Sequence, residues 1–367
     1  MTTRRKFLKG AAVAGPATLA APSILHAQEP IRWRFQTYAG SALGEEVTKP
    51  AIDAINAAAQ GELEIELFYA DQIVPTGELF QALQRGTIDG VHSDDDSMAS
   101  PTPVRSFGGY FPLATKHALD VPVLFNQYGL TEIWAEEYAK VGVKHISAGS
   151  WDPCHFATKD PINSLADLQG KRLRVSGLEQ GRLLNKLGGS QVSMAGGEIY
   201  QSLERGVIDG AEFSTPNVDW SGGFQQVTGF WATPGWHQSA SVFGVMINKA
   251  SWDALSAETQ EKLQIAADAT MLWSLAFTER RANDAYKQFG EVNEITRMDD
   301  ESLAKIQETA NEVIEEVACE NPTSAKVYLS QLEYLADYSS WRSASAPFNL
   351  GRNPDGPDLE KIRACAE

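Results

Sequence analysis

The chain has 367 residues and is acidic, with 31 Lys and Arg against 48 Asp and Glu and a formal net charge of −17. Such a chain, which has no basic cluster, is repelled by polyanions, and this disfavours nucleic acid as a partner. Its length exceeds what one hydrophobic core usually covers, so two lobes are expected.

The first 27 residues have the pattern of a twin-arginine signal peptide. The pair Arg4–Arg5 precedes an Ala-rich apolar stretch that is too short to span a bilayer, and Ala27 offers a cleavage site before Gln28. A basic surface tail is the alternative. Export predicts a periplasmic protein, and without the four basic signal residues 27 positive charges face 48 negative ones, a net of −21. No later segment reaches the roughly 18 uninterrupted apolar residues of a membrane helix.

An internal repeat gives the architecture. Residues 79–90, LFQALQRGTIDG, recur 120 positions later as residues 199–210, IYQSLERGVIDG. Each copy predicts a short helix, a glycine stop at Gly86 or Gly206, and a short strand. Chance similarity is the alternative, since such joints are common.

The segments before the two copies also correspond. A strand over 31–38, a helix over 47–55 and a strand over 63–67 precede the first copy, and a strand over 172–176, a helix over 178–187 and a strand over 191–194 precede the second. Two lobes that both begin β-α-β-α-β are implied, with parallel sheets and right-handed crossovers. After residue 250 the pattern becomes helical, and these helices are expected to brace the lobes.

In such sheets a ligand binds beyond the carboxyl ends of the strands, so two facing lobes predict one shared cleft. The candidate positions are Tyr38, Asp71-Gln72, 92–96, 174–177 and 212–215.

Arg174 ends a predicted buried strand and needs an anionic partner, because a guanidinium fork matches a carboxylate. The partner is a bound ligand or, alternatively, a neighbouring Asp or Glu of the protein. Arg172 faces the same side by strand alternation, and one of these two arginines is expected to lie at the surface.

Glu212 follows the second Ile-Asp-Gly unit, at the position equivalent to His92. A carboxylate beside a bound anion repels it, so a cation held between them would be required. A surface-exposed Glu at a strand end is the alternative.

Other candidates for the cleft are acidic or aromatic. The run Asp94-Asp95-Asp96 is either a solvated turn or a binder of a cation, ammonium or hydroxyl. Two aromatic-polar pairs in loops, Trp151-Asp152 and Trp236-His237, are suited to line a cleft, although tryptophan is as often simply packed.

Catalytic patterns are poorly supported, because the sequence has no nucleophile elbow, zinc-protease motif, P-loop or dinucleotide fingerprint. Three cysteines permit one disulfide at most, and Cys319 with Cys365 is the pair considered, with Cys154 left over. No CxxC or Cys/His spacing indicates a structural zinc site.

The mature chain resembles the solute-binding proteins of tripartite ATP-independent periplasmic (TRAP) transporters, the DctP family. The resemblance is carried by YADQIV at 69–74, QRGTIDG at 84–90, the long segment PINSLADLQGKRLRV at 161–175, and 196–212. It implies an α/β, two-lobed periplasmic binding protein fold, type II-like, with a hinge and C-terminal bracing helices. The implied first lobe is 28–148 with 242–300, the second lobe is 149–241, and the C-terminal helical region is 301–367.

The resemblance also implies the roles of residues. Arg174 would bind the ligand carboxylate with both prongs of its fork, and AEF at 211–213 with PGW at 234–236 look like the branch that binds 2-oxo or 2-hydroxy monocarboxylates with a metal ion. Glu212 and the carbonyl of Phe213 would then ligate sodium or calcium. The branch's amide ligand is missing here, so Asp152 would substitute, which favours calcium or removes the metal.

The implied function is capture of a small organic acid for a membrane permease, without catalysis. Arg174 would anchor the ligand, and Trp151, Trp236 and Tyr38 would close the walls. Further ligand contacts are expected from Asp95, Asp152, His237 and Phe213. A periplasmic enzyme and a sensory binding protein are the alternatives, and a homodimer is left open.

Overall fold

The computed structural model describes residues 29–106, 118–151 and 153–345. The predicted signal peptide and Cys365 lie outside these residues. The strands are β1 Ile31–Thr37, β2 Leu63–Phe68, β3 Gly90–Ser93, β4 Val143–Trp151, β5 Phe156–Thr158, β6 Arg172–Arg174, β7 Ser190–Val192, β8 Gly210–Ala211, β9 Phe230–Thr233, β10 Ser241–Asn248 and β11 Glu294–Arg297. The helices are α1 Ser41–Leu43, α2 Lys49–Ala58, α3 Leu79–Gln84, α4 Asp120–Gln127, α5 Leu130–Lys140, α6 Leu178–Lys186, α7 Ile199–Glu204, α8 Pro216–Ser221, α9 Lys249–Asp253, α10 Ala257–Val292, α11 Asp300–Ala318 and α12 Pro322–Ser345.

Two mixed sheets form the two lobes. The first has the order β2-β1-β3-β10-β4, and the second has the order β11-β9-β5-β8-β6-β7. In each sheet the first strand of the β-α-β-α-β unit lies between the unit's second and third strands. The orders are β2-β1-β3 and β7-β6-β8, and all four of these pairings are parallel. The predicted α/β fold of two lobes is therefore confirmed, and so is the repeat.

The residues shared by the two copies make equivalent contacts. Gly86 and Gly206 follow α3 and α7 with φ values of +72° and +71°, the left-handed conformation that the glycine stops predicted. The aspartate of each Ile-Asp-Gly unit accepts a hydrogen bond from the backbone N–H of an arginine in the first strand of its lobe, over 2.9 Å between Asp89 and Arg34 and 2.8 Å between Asp209 and Arg172. The repeat thus ties each helix-to-strand joint to its sheet.

Three segments connect the lobes. The chain leaves the first sheet after β4 and enters the second at β5, returns from β9 to β10, and leaves again through α10 to β11. Strand β11 pairs with β9 in the second sheet, from Glu294 against Phe230 to Arg297 against Thr233. The assignment of 242–300 to the first lobe was therefore wrong for residues 294–297, because a four-residue edge strand after a 36-residue helix leaves little pattern in the sequence.

Helix α10 braces both lobes, as predicted for the C-terminal half. It packs against β4 of the first sheet and against α8 of the second lobe. Its contacts with β4 include hydrogen bonds from Ser147 Oγ to Asp268 Oδ1 at 2.8 Å and from Trp151 Nε1 to Ser274 Oγ at 3.0 Å. None of the helices within the described residues is long and apolar enough to cross a membrane.

Candidate functional site

A cleft lies between the two sheets, at the carboxyl ends of the parallel strands. Its lining from the first lobe and from β10 is Tyr38, Asp94, Ser97, Ser241, Val242 and Phe243, and its lining from the second lobe is Arg174, Ser176, Phe213, Ser214 and Gln238. Both lobes therefore contribute side chains, as the topology predicted. The lining mixes apolar walls with hydroxyl, amide and charged groups, which is typical of a small-molecule site.

Arg174 ends β6 and is 6% exposed. Its Nη1 donates to the Glu212 carbonyl at 3.0 Å and to Glu212 Oε1 at 2.8 Å, and its Nε donates to the Met194 carbonyl at 3.3 Å. Nη2 has no hydrogen-bond partner among the described residues. The guanidinium also lies over the Phe213 ring, 5.8 Å from its centroid. Nε and Nη1 are thus engaged by the protein, and Nη2 is the nitrogen that remains available to a ligand.

Glu212 is fully buried beneath this arginine. Its Oε1 accepts from Arg174 and from the Ser176 backbone N–H at 2.7 Å, whereas Oε2 has no hydrogen-bond partner among the described residues. Burial raises the pKa of the Glu212 carboxyl, and the charge of Arg174 opposes that shift. A buried carboxylate oxygen with open lone pairs fits a ligand of a hard cation such as calcium or sodium.

A second buried carboxylate lies behind Glu212. Asp219 accepts the Ser214 backbone N–H on Oδ1 at 3.1 Å, and its Oδ2 has no hydrogen-bond partner within the described ranges. Burial raises the pKa of Asp219 well above its ordinary value, with the nearby Glu212 charge adding to the shift. Among the described residues, two buried carboxylates, Glu212 and Asp219, therefore lie near the single guanidinium of Arg174.

Comparison with known proteins identifies the family. Residues 37–321 match DctP, the bacterial extracellular solute-binding proteins of family 7. The chain belongs to this family. DctP-family proteins are the non-enzymatic solute-binding proteins of TRAP transporters, so the resemblance predicted from the sequence is confirmed.

Individual relatives give the breadth of the family. A monocarboxylate 2-oxoacid-binding periplasmic protein of a Nostoc species is 31% identical over 251 residues, 66% of this chain and 67% of that protein. A crystal structure of a TRAP periplasmic solute-binding protein from Chromohalobacter salexigens with bound (S)-(+)-2-amino-1-propanol is 44% identical, covers 85% of this chain and 97% of its own, and has a TM-score of 0.78. One from Colwellia psychrerythraea with bound calcium and pyruvate is 22% identical, covers 87% and 98%, and has a TM-score of 0.79.

The cleft of this DctP-family protein contains part of the residue set that the sequence predicted. Arg174, Tyr38 and Phe213 line it, and Arg172 is the surface arginine of its pair, bound to Asp209 through Nε at 3.1 Å and Nη2 at 2.7 Å. Burial raises the pKa of Tyr38 well above its ordinary value, and the negative charge of Asp94 raises it further, so Tyr38 keeps its hydroxyl proton. The expected grip of Arg174 on a ligand with both prongs stays a prediction, and in this structure Nη1 is bound to Glu212 and Nε to the Met194 carbonyl.

The acidic run divides between the cleft and the core. Asp94 lines the cleft, whereas Asp95 lies in the first lobe and accepts from the hydroxyl of Tyr138 and from Trp134 Nε1 at 3.4 Å. Burial raises the pKa of Asp95 to about 6, although these hydrogen bonds oppose the shift. Of the acidic run, Asp94 is therefore the residue that lines the cleft, and Asp95 is engaged by side chains of the first lobe.

The two tryptophans and His237 pack behind the cleft. Trp151 is fully buried, with its ring centroid 4.1 Å from that of the cleft residue Phe243. Trp236 and His237 both pack on Phe156, with centroid distances of 5.7 and 4.0 Å. None of the three lines the cleft, so their predicted direct contacts are corrected to a supporting role. Burial lowers the pKa of His237 well below its ordinary value, which keeps the imidazole neutral.

Two further candidates do not reach the cleft or cannot be placed. Asp71 and Gln72 form an exposed turn in which Asp71 Oδ1 accepts the Thr76 backbone N–H at 2.7 Å. Asp152 lies outside the described residues. Of the cysteines, Cys154 is a buried free thiol and Cys319 is exposed, and the pairing with Cys365 also falls outside the described part of the chain.

Sequence reasoning missed four lining residues around the return to the first lobe. Gln238 lies in the loop before β10, and Ser241, Val242 and Phe243 begin that strand. Strand β10 pairs antiparallel with β3 and β4, so its start reaches the cleft although the carboxyl ends of the parallel strands are the usual place to search. The residues 241–243, Ser-Val-Phe, carry no polar–apolar alternation that could have indicated this.

Proposed function

We propose that this DctP-family protein is a periplasmic solute-binding subunit that captures a small organic acid, favouring a 2-oxo or 2-hydroxy monocarboxylate, and delivers it to the membrane permease of a TRAP transporter. The observation that carries this proposal is the open Nη2 of Arg174 in a cleft lined by both lobes. A carboxylate accepts strongly from a guanidinium, and partial burial strengthens the interaction.

The walls suit a short ligand that has several polar groups and a small apolar part. Tyr38, Val242 and Phe243 line the cleft from the first sheet and Phe213 from the second, and the lining serines supply hydroxyl donors and acceptors. A 2-oxo acid presents two carboxylate oxygens, one keto oxygen and a short apolar tail, which matches this division. The monocarboxylate 2-oxoacid-binding Nostoc relative supports the same ligand class.

A cation beside Glu212 is part of the proposal. Glu212 Oε2, the Phe213 carbonyl and the Asp152 carboxylate would hold calcium, or sodium, next to the bound acid. The buried, unpartnered Oε2 supports this assignment, and so does the pairing of calcium with pyruvate in the Colwellia protein of the same fold. Such a cation would supply positive charge between the carboxylate of Glu212 and that of the ligand.

The setting of the proposed function follows from the N-terminal sequence and the family. The paired arginines and Ala27 support export by the twin-arginine route to the periplasm, where the membrane permease would be the protein partner. A homodimer is a further proposal, which light scattering of the purified protein would test.

A thermal-shift screen tests the ligand class. The mature protein would be heated with 2-oxo acids, 2-hydroxy acids, sugar acids and sulfonates, each with calcium and with a chelator. A true ligand at 100 times its Kd stabilises the fold by about 2.7 kcal/mol. A shift for 2-oxo or 2-hydroxy acids and no turnover of the hit supports the proposal, whereas a shift confined to sugar acids or sulfonates would contradict the ligand class.

A small amine is the second candidate ligand. The Asp94 carboxylate on the cleft is the observation that favours it, and the Chromohalobacter protein bound an amino alcohol. An ammonium group would lie near Asp94, with its hydroxyl or carboxylate toward Arg174. Adding (S)-2-amino-1-propanol to the same screen separates the two, because an acid-specific site gives no shift with it.

A further inference from the structure

We infer that Gln180, which does not line the cleft, orients the hydrogen-bonding groups of one cleft corner, formed by Gln238 and Ser241. Both groups then act as donors, so the corner binds only a ligand group that is a hydrogen-bond acceptor. The inference rests on the proposed function. It adds that the site prefers a keto group over an amino group on the ligand and that Gln180 determines this preference.

The relay begins at a backbone N–H. Gly177 precedes α6, and its N–H donates to Gln180 Oε1 at 2.9 Å. A backbone N–H can only donate, so it determines which way round the Gln180 amide lies. Gln180 is fully buried, and its Nε2 must then act as a donor on the opposite side.

The second amide is oriented by the first. Gln180 Nε2 donates to Gln238 Oε1 at 3.0 Å, and Gln238 Nε2 in turn donates to Ser241 Oγ at 3.1 Å. Gln238 is 2% exposed and, with Ser241, lines the cleft. Its acceptor oxygen is engaged with Gln180, so the polar group that it has left for the cleft is its second N–H.

Ser241 extends the same polarity. Its oxygen accepts from Gln238 and lies 3.3 Å from Cys154 Sγ. Burial raises the pKa of the Cys154 thiol well above its ordinary value, so the sulfur keeps its proton and can donate to Ser241 as well. With Cys154 as the donor of this pair, the hydroxyl proton of Ser241 is left for the cleft. The corner therefore presents an amide N–H and an O–H, both donors.

Two donors select an acceptor. The keto oxygen of a 2-oxo acid, or a carboxylate oxygen, accepts from both groups, whereas the ammonium of the matching 2-amino acid would leave both donors and itself unpaired. Buried polar sites reject a ligand that leaves their groups unpaired far more strongly than apolar pockets reject a size difference. Pyruvate should accordingly bind much more tightly than alanine, although the two differ in one group.

Gln180→Glu tests the relay because it reverses the donor. An ionised glutamate at 180 still accepts the Gly177 N–H but cannot donate to Gln238, so the Gln238 amide would turn, donate to the new carboxylate and present its oxygen to the cleft. Because burial favours the protonated carboxyl, which could still donate, the titrations are run at about pH 9. Titration calorimetry with pyruvate and alanine measures the selectivity as a ratio of Kd values. We expect the preference for pyruvate to fall at least about tenfold, because one donor becomes an acceptor.

Gln180→Met is the matched control, since it keeps the length of the side chain and removes the relay without adding charge. It frees Gln238 to take either orientation, and the preference should fall less than in Gln180→Glu. If either variant fails to fold, Ser241→Ala replaces it, and we expect pyruvate to bind about fivefold more weakly while alanine is unaffected.

The outcomes separate the inference from the proposed function. Unchanged selectivity in folded Gln180 variants that still bind pyruvate overturns the relay and leaves the proposed function standing. If the wild-type protein binds no small acid, the proposed function fails and the relay fails with it.

Discussion

Arg174, which lines the cleft, forms a buried ion pair with Glu212. Their side chains are 7% and 0% exposed, with 2.8 Å between Nη1 and Oε1. Removing one partner of such a pair leaves a buried charge without compensation, which costs several kcal/mol. Of the two alternatives that the sequence left open, the structural ion pair is present through Nη1, and the ligand anchor stays a proposal that the unpartnered Nη2 supports.

Calcium dependence should reside in Glu212. Its replacement by Gln keeps the acceptor for Arg174 and Ser176 but removes the negative charge that a cation requires. We expect Glu212→Gln to bind the acid with the same affinity in calcium and in chelator, whereas the wild-type protein binds more tightly in calcium. Equal binding by the wild-type protein in both conditions would argue against the cation.

Asp95 should make the stability of the fold depend on pH. Its pKa is about 6 in the folded chain and near 3.8 when unfolded, because burial disfavours the charged form. The folded state therefore holds the proton longer, and the stabilising effect is complete below about pH 4 and lost as the pH rises through about 6. We expect the free energy of unfolding of Asp95→Asn, measured by denaturant titration, to exceed that of the wild type by roughly 2 to 3 kcal/mol at pH 7 and to be nearly equal at pH 4. If the free energy of unfolding changed with pH in the same way in both proteins, this prediction would be refuted.

At the scale of elements, the two repeat glycines provide a matched test. A Cβ added at Gly86 or Gly206 would lie 3.8 or 3.5 Å from its nearest neighbour, an ordinary contact, so the left-handed φ is the main cost. We expect Gly86→Ala and Gly206→Ala each to lower the free energy of unfolding by about 1 kcal/mol.

Two other glycines at the same repeat spacing serve as controls. Gly77 and Gly197 have nothing within 4 Å of an added Cβ and no left-handed φ. Gly77→Ala and Gly197→Ala should leave the midpoint of urea unfolding unchanged or slightly raised. A loss of stability as large as that at Gly86 and Gly206 would show that backbone conformation is not the cause.

The sequence predicted elements better than it predicted the site. The β-α-β-α-β start of each lobe depends on local hydrophobic periodicity and on Gly86 and Gly206, all of which can be read from the local sequence. The cleft contacts of Gln238 and Phe243 instead depend on antiparallel pairing of β10 with strands about 100 to 150 residues away, which no local pattern encodes. Trp151 and Trp236 were misplaced for a related reason, since an aromatic side chain suits a buried core as well as a cleft wall.

At the scale of the whole molecule, ligand capture should close the two lobes. The cleft is lined from both sheets, and the chain passes between them through two loops and α10. A ligand shifts this equilibrium only by contacts that the closed form has and the open form lacks. We expect small-angle scattering to give a smaller radius of gyration with the bound acid than without it. An unchanged radius under saturating ligand would contradict closure around the cleft.

The central claim, that Arg174 anchors a carboxylate, is tested most directly by titrating the best acid from the screen into the wild-type protein and into the Arg174→Met, Glu212→Gln double variant. The double change removes both charges of the pair, so that neither is left buried alone. Because Glu212→Gln alone keeps Arg174, the two variants differ only at position 174, and their comparison isolates the contribution of the guanidinium to ligand binding. We predict that the double variant melts as a folded protein and binds the acid at least about 100-fold more weakly than Glu212→Gln does. Equal affinity in these two variants would contradict the account.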